Sequence, residues 1–292
     1  MRIARVLHES SPFPLVALER DGALYDVGEL DRMFDTPYAP DRWPGATDFH
    51  ARVVAADGAG LEYLDEELRA GRRPTEARLL PGTFLWLPPC DTERALYVQM
   101  TPDDALRDAR APWPSYRLGH ARAILGHDAR VPFPAGEGRP GFALGVAAVL
   151  GEDLNAAGVE EAERAILGYA ILNAWIGAET EARAPGTGAR DVPAQLGPVL
   201  VTRAELGALD PLRAQARVDG RVVAEPGVGG WALSLASSIA WVSRWAPLRA
   251  GDVIGAGGVR GGGGEAGYGA TVELVVERMG KLTGRAARGA ER

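Results

Sequence analysis

The sequence predicts an α+β fold in which short strands greatly outnumber helices. Three observations support this fold class. Strand-like apolar runs recur along the whole chain, two pairs of these runs are joined by Asp-Gly turns, and helical spacing is confined to a few short segments. We therefore expect a largely β structure with a few helices packed on one side of it.

The composition is ordinary for a soluble globular protein and argues against several classes. The 292 residues, 46% hydrophobic and 24% charged, suffice for one large domain or for one large and one small domain. A net charge of -7 argues against a nucleic-acid partner. The single cysteine, Cys90, leaves no disulfide framework and fits the cytoplasm. No run approaches the roughly 20 apolar residues of a membrane span, so we expect no membrane partner.

The first 80 residues are predicted to form a small β-rich domain, and residues 81–292 the main domain. A hairpin turns at Asp21-Gly22, a pair that tolerates positive φ between two apolar runs. A helix follows, because three leucines recur at helical spacing before Gly71 and Pro74; they are Leu61, Leu64 and Leu68. Prolines after residue 80 indicate an extended connection into the main domain.

The main domain shows the same alternation of strands with occasional helices. A second hairpin turns at Asp219-Gly220. Helical spacing appears in 159–169 and in 231–245, where Leu235, Ile239 and Val242 share one stripe. Apolar strands are predicted in 94–100, 141–151, 169–176, 251–257 and 270–282.

A glycine-rich run, "GAGGVRGGGGEAGYG", covers 255–269. It lacks the Gly-Lys-Ser/Thr ending of a phosphate loop and the strand-turn-helix setting of a dinucleotide site. We expect a mobile loop, in which Arg260 could close over an anionic ligand.

Four stretches in register resemble the fumarylacetoacetate hydrolase (FAH) family, over about the C-terminal two thirds of the chain. They are "GFALGVAAVLGEDL", "ILGYAILNAW", "LGPVLVTRAEL" and "LSLASSIAWVSRWAPLRAGDVIGAG". The resemblance implies a mixed β-roll with a small N-terminal β domain, a homodimer, and a small-molecule substrate. It also implies chemistry through Mg²⁺ or another divalent ion, held by carboxylates and used to stabilise an enolate.

The sequence departs from this family pattern where the carboxylates are expected. The Glu-x-Glu pair falls on Ala143 and Gly145, and the Asp after Asn173 falls on Ala174. A lysine that the family carries upstream of the Leu-Gly-Pro run aligns with Gly188 in this sequence. Alanine and glycine side chains offer no oxygen to a hard cation, so we predict no metal at this site and no cofactor.

The space vacated by a metal cage could hold an apolar ligand. Trp175 follows the vacated Asp position, and the resemblance places Trp231 on a substrate-facing loop. Each tryptophan is either a pocket wall or part of the core. In the resemblance, Glu181 aligns with a Gln that faces the substrate in the family, and Asp191 aligns with an Asp of the family. Glu179 lies two residues before Glu181 on the same segment. Glu181 is either a general acid or base with a raised pKa or a solvated loop acid, and Asp191 could be structural.

Two further residues are candidates for proton transfer. Asp104 lies where the resemblance expects a catalytic His; it is either the replacement base or part of a charged helix start capped by Thr101. His120 could act as a pocket base. His120 and His127, seven residues apart, are a weak metal signal without a third ligand.

Three functions are consistent with these observations. The first is a metal-independent enzyme that cyclises, isomerises or dehydrates a reactive, largely apolar small molecule in specialised metabolism. The second is a non-catalytic binding or scaffold protein on the same fold. The third is a C–C hydrolase or decarboxylase of this family with a relocated metal site. An open, Trp-lined cavity of several hundred Å³ would favour the first function and a filled core the second.

Overall fold

The computed structural model describes residues 1–39, 48–55, 58, 60–93, 95–100, 115–185, 188–210, 212–228 and 234–289. Strands dominate these ranges, as expected, and the helices are short. The helices are α1 (Val27–Met33), α2 (Leu61–Arg69), α3 (Val159–Arg164), α4 (Ala178–Arg183), α5 (Arg203–Leu206) and α6 (Leu235–Ser243). The strands are β1 (Arg2–His8), β2 (Leu15–Arg20), β3 (Ala23–Asp26), β4 (Arg78–Leu79), β5 (Phe84–Leu87), β6 (Tyr97–Met100), β7 (Tyr116–Gly119), β8 (Ala129–Phe133), β9 (Pro140–Leu150), β10 (Ile166–Asn173), β11 (Ile176–Gly177), β12 (Gln195–Thr202), β13 (Leu212–Val218), β14 (Arg221–Ala224), β15 (Gly227–Val228), β16 (Val253–Glu265), β17 (Thr271–Val276) and β18 (Gly280–Arg288).

The strands form two sheets. The larger sheet has 12 strands in the order β4-β3-β2-β1-β12-β10-β9-β16-β6-β7, with β5 beside β1 and β11 beside β9. The smaller sheet has six strands in the order β14-β13-β17-β18-β8, with β15 beside β13. The β16–β6 and β18–β8 pairs are parallel and the other pairs are antiparallel, so both sheets are mixed. The predicted α+β class is confirmed.

Both predicted hairpins form at their Asp-Gly pairs. Asp21 and Gly22 have φ values of 51° and 78°, and Asp219 and Gly220 have 48° and 77°. Two consecutive positive φ values are those of a type I′ turn, whose twist matches that of the flanking strands. The turn chemistry of the sequence therefore locates β2–β3 and β13–β14 correctly.

The N-terminal strands join the main sheet directly. β1 pairs with β12 with Arg2 opposite Val201 and Ile3 opposite Leu200, and β5 pairs with β1 on its other side. Hydrogen bonding within one sheet thus crosses the predicted boundary at residue 80, and the division into 1–80 and 81–292 stays a prediction.

Strand β9 is buried on both faces, which explains its continuous apolar run. Leu144, Val146 and Ala148 belong to one apolar cluster, whereas the alternating Ala147 and Val149 belong to a second. Successive side chains of a strand point to opposite faces, so one strand supplies both clusters. By the same alternation, Ala143 and Gly145 lie on the face of β9 that carries Ala147 and Val149.

The prediction of a loop in the glycine-rich run is wrong. Most of the run, 255–265, belongs to β16, which pairs with β9 through two register shifts, with Gly258 opposite Gly145 and Gly263 opposite Ala143. A Cβ on Gly263 would lie 2.9 Å from the carbonyl oxygen of Phe142. The close approach of the two backbones at that point requires glycine.

Two other expectations concern membrane spans and the single cysteine. None of the helices in the described ranges is long and apolar enough to cross a bilayer. Cys90 is buried with a free thiol, and burial raises its pKa to about 12, so it is not a nucleophile at neutral pH.

Candidate functional site

The three positions that the resemblance assigns to carboxylates lie side by side. Ala143 and Ala174 exchange backbone hydrogen bonds of 3.1 and 3.0 Å across β9 and the end of β10. Gly145 is opposite Leu172 on β10, two residues before Ala174. Because side chains alternate along a strand, the three positions present one face of the sheet.

The residues at this face do not fit a divalent cation. A methyl group, a hydrogen and a second methyl group stand where a hard cation needs oxygen ligands. Across the described part of the chain, no group of three or more His, Cys, Asp or Glu side chains could hold a metal ion. A metal-free site stays a prediction that rests on this donor set.

A narrow cavity of ≈ 10 Å³ adjoins Ala174. It has room for about one water molecule. This is far smaller than the cavity of several hundred Å³ that a pocket for an apolar substrate would require. Its walls come from β6, β7, the residues after β10 and the segment before β12; they are Tyr97, Gln99, Arg117, Gly119, His120, Ala123, Ala174, Trp175, Arg190, Asp191, Val192, Pro193 and Ala194.

Tyr97 fills much of the space on this face. Its ring lies against Gly119 and Gly255, where an added Cβ would come within 2.3 Å and 3.5 Å of ring carbons. The side chain is 3% exposed, and its hydroxyl has no hydrogen-bond partner among the described residues. Burial raises the pKa of Tyr97, against the opposite effect of Arg117, so the hydroxyl is protonated and available as a donor.

Arg117 on β7 supplies the positive charge of the cavity. Its Nη2 donates to Gln99 Oε1 at 2.5 Å and to the carbonyl oxygen of Arg190, and its Nη1 donates to Asp191 Oδ1 at 2.9 Å. Its Nε is buried and has no partner within the described ranges. The guanidinium is therefore held in place from three sides while one donor remains unused.

Comparison with known proteins identifies the family. Residues 92–287 match the family described as fumarylacetoacetate (FAA) hydrolase C-terminal. The chain belongs to the fumarylacetoacetate hydrolase family. The resemblance inferred from the four sequence stretches is thus confirmed.

One further protein and two solved structures are similar to this chain. An uncharacterized protein of Archaeoglobus fulgidus is 28% identical over 209 residues, which cover 70% of this chain and 82% of that protein. The 5-carboxymethyl-2-hydroxymuconate delta-isomerase of Mycobacterium smegmatis has a TM-score of 0.70 at 19% identity, covering 100% of both chains. The maleylpyruvate hydrolase of Sphingobium sp. SYK-6, in complex with manganese(II) and pyruvate, has a TM-score of 0.74 at 17% identity, covering 99% and 100%. The two structures show that the FAH fold extends over essentially the whole chain.

The structure brings four of the predicted residues to this cavity, namely His120, Ala174, Trp175 and Asp191. His120, just after β7, is exposed at the cavity wall. Asp191 lies at the wall as well and pairs with Arg117. Glu181 is on α4 outside the wall, where its Oε1 accepts from Arg190 Nε at 2.9 Å. Glu181 thus contacts the cavity wall through Arg190, the residue before Asp191.

Glu179 lies away from the cavity. Its carboxylate accepts a hydrogen bond from the Gly138 backbone N–H at 3.1 Å and pairs with Arg183 at 2.5 Å. The carboxylate next to it, Glu137, accepts from the backbone N–H groups of Glu179 and Thr180 and so caps α4. Burial opposes ionisation of Glu137, but hydrogen bonds from the Arg139 backbone N–H, the Thr180 hydroxyl and these two N–H groups outweigh it and lower its pKa. Both acids hold α4 in place and contact nothing at the cavity.

Trp175 borders the cavity, but its indole ring lies in the core. The ring packs edge-on against Phe133 and Phe142 at centroid distances of 5.9 and 6.3 Å, and its Nε1 donates to Gln195 Oε1 at 2.7 Å. The residue follows Ala174 in an extended segment, so its side chain points to the opposite face. The ring is thus a core side chain of a residue that also borders the cavity, and a role in substrate binding stays a prediction.

Three other predicted residues give no structural result. Asp104 and Trp231 lie outside the described residues. Arg260 lies on β16, and its side chain is likewise outside what the structure describes.

Sequence reasoning missed Tyr97, Gln99 and Arg117 as members of the site. A signal was present for one of them, because Gln99 interrupts the otherwise apolar strand "YVQM" and is 8% exposed. A polar side chain in a buried strand needs a partner, and Arg117 on the neighbouring strand is that partner.

Proposed function

We propose that this chain is a metal-independent enzyme that isomerises a small carbonyl compound by moving a proton through an enolate. Of the reactions predicted from the sequence, isomerisation is the one that the described side chains support best. The substrate is a small molecule, and specialised metabolism is the setting in which we expect it. A homodimer and a cytoplasmic location stay predictions.

The observation that carries the proposal is a cluster of unsatisfied buried polar atoms. Four buried side-chain polar atoms lack a partner among the described residues. Two of them, Tyr97 Oη and Arg117 Nε, belong to the wall of this cavity. Each such atom costs about 1–3 kcal/mol, so two of them at one small cavity indicate a place where a polar ligand binds.

The chemistry follows from what these groups can donate. An enolate needs positive charge and hydrogen-bond donors at its oxygen, which a divalent cation can supply. Here the Tyr97 hydroxyl and the Arg117 guanidinium can supply both, preorganised in a site sheltered from water. The exposed imidazole of His120 can take the proton from the carbon next to the carbonyl and return it to a different carbon.

The small cavity favours a second function. A volume of ≈ 10 Å³ does not admit a substrate unless Asp191, which is 52% exposed, moves off Arg117. A protein that uses this fold for binding or as a scaffold has no need for such movement, and a filled site is what it would show. The third alternative, a relocated metal, lacks a ligand cluster anywhere in the described ranges.

Hydrogen–deuterium exchange at carbon tests the proposed reaction whatever its product. A panel of small 2-oxo acids and β-diketones is incubated in deuterated buffer with the purified chain, with and without a chelator, and exchange is followed by NMR. We expect at least one compound to exchange at a rate that the chelator leaves unchanged. We also expect Tyr97→Phe and Arg117→Met to slow that exchange by about 10²–10³-fold.

Two surface substitutions serve as matched controls. Tyr63→Phe changes a tyrosine that is 45% exposed on α2, and Arg221→Met changes an exposed arginine on β14. Neither should alter exchange. Exchange that requires a divalent ion would overturn the metal-independent mechanism, and binding of a compound without any exchange would support the scaffold alternative.

A further inference from the structure

A second, larger cavity lies on another part of the molecule, where the N-terminal strands meet the start of β18. Its volume is ≈ 520 Å³, within the range of small-molecule sites. β4, β5 and the segment before β8 contribute its walls. None of its lining residues lines the cavity at Ala174, so the two sites are separate.

Aromatic rings form one wall of this second cavity. Phe84 and Trp86 on β5 pack edge to face at a centroid distance of 5.4 Å, and the His127 ring meets Trp86 at 5.1 Å. Gly126 permits this arrangement, since a Cβ there would lie 2.4 Å from the carbonyl oxygen of Trp86. The three rings are therefore fixed against the backbone, with Leu24 and Leu79 beside them.

The polar groups left unused in the cavity wall are donors. His127 Nδ1 accepts the Thr283 backbone N–H at 3.1 Å, so its neutral ring carries the proton on Nε2. No described residue accepts from His127 Nε2 or from the indole N–H of Trp86. Arg78 on β4 is exposed and has no ion-pair partner in the described part of the chain.

Each of the two carboxylates in the wall has a cationic partner. Glu19 accepts from Arg2 and from the Gly22 backbone N–H, and Asp128 pairs with Arg285 at 3.1 Å. Lys281 lies at the wall as well and pairs with Glu273. What the wall offers to a ligand is thus positive charge and N–H donors beside flat apolar rings.

We propose that this cavity binds a small carboxylate whose remaining part is a flat apolar ring. The ring packs against Phe84 and Trp86, and the carboxylate accepts from Arg78 and from His127 Nε2–H. The proposal is independent of the reaction proposed for the first cavity, because no residue is shared between them.

Calorimetric titration with phenylacetate, and with phenylacetamide as its uncharged counterpart, tests this proposal on the full chain. We expect phenylacetate to bind with a dissociation constant below about 1 mM. Loss of one charge-assisted contact should weaken binding about 10-fold. We therefore expect a dissociation constant about 10-fold higher for phenylacetamide with the wild type. We expect the same increase for phenylacetate with Arg78→Met. Arg221→Met, an exposed arginine on β14, is the matched control and should bind as the wild type does.

Arg117→Met separates the two cavities. It removes the cation of the first cavity and should leave phenylacetate binding unchanged. The proposal is overturned if the wild type shows no binding at a phenylacetate concentration of about 5 mM, which is well above the expected dissociation constant. It is equally overturned if Arg78→Met binds as tightly as Arg221→Met, or if Arg117→Met abolishes binding, since the ligand would then lie in the first cavity.

Discussion

Ala143 and Ala174 face each other across two strands and exchange both backbone hydrogen bonds, at 3.1 and 3.0 Å. At such paired positions the two Cβ atoms are roughly 4.5–5.5 Å apart, close enough for two carboxylates to share one cation. In this member of the fumarylacetoacetate hydrolase family the pair carries two methyl groups. The guanidinium of Arg117 lies on the wall of the small cavity that Ala174 also lines.

Tyr97→Phe should separate activity from stability. The hydroxyl is buried without a partner among the described residues, so its removal relieves a desolvation penalty, and we expect the free energy of unfolding to stay equal or rise by about 1 kcal/mol. Turnover should fall because the proposed donor to the enolate is lost. Urea unfolding and the exchange assay measure the two effects. A marked loss of stability would show that the hydroxyl has a structural partner after all.

Breaking the buried ion pair between Asp31 and Arg52 should strongly destabilise the fold, because it leaves a buried charge without its partner. Both side chains are 0% exposed, and the two contacts measure 2.5 and 3.0 Å. Asp31→Asn deprives a buried guanidinium of this counter-charge, and we expect a loss of about 3–5 kcal/mol by urea unfolding. Arg32→Met, which removes an exposed i,i+3 partner of Glu29, should cost less than about 0.5 kcal/mol. Similar losses in the two variants would contradict this assignment.

The stability of the chain should depend on His127 below neutral pH. Burial lowers the pKa of His127, against the opposite effect of Asp128, so the folded ring stays neutral while the unfolded chain takes up a proton near pH 6.5. The unfolded state then binds more protons, and the free energy of unfolding falls as pH drops through about 6.5 to the lowered folded value.

His127→Asn keeps an acceptor for the Thr283 N–H and removes the titration. The wild type should therefore lose stability relative to this variant between about pH 7.5 and 5.5, measured by urea unfolding. Parallel pH profiles of the two proteins would show that His127 is solvated in the folded state.

Gly126→Ala should damage the second cavity through the backbone. The added Cβ would lie 2.4 and 2.7 Å from the carbonyl oxygen and carbon of Trp86, which cannot rotate away. We expect a loss of about 1–3 kcal/mol in thermal or urea unfolding. Gly267→Ala is the control, because a Cβ there meets no atom within 4 Å. Equal stabilities would mean that β5 shifts freely at this point.

The sequence predicted the parts of the fold that local chemistry determines. The Asp21-Gly22 and Asp219-Gly220 turns and the α2 leucines are where turn and helix rules place them. The glycine-rich strand β16 could not be predicted this way. Its pairing with β9 depends on close backbone contact, and glycine carries no strand preference of its own.

The candidate site was predictable only in part. The loss of side-chain oxygens at Ala143, Gly145 and Ala174 is visible in the sequence once the resemblance aligns them. Strand alternation would also have turned Trp175 away from that face, because it directly follows Ala174. Tyr97 and Arg117 come from strands far from β10 in sequence, so only the fold shows that they meet there.

A calorimetric titration of the purified wild-type chain with Mn²⁺ tests the central claim most directly. Because Ala143, Gly145 and Ala174 carry no side-chain oxygen, we expect no saturable binding. A one-to-one isotherm with a dissociation constant below about 100 μM would contradict the account, because it would require oxygen ligands that these three residues do not have.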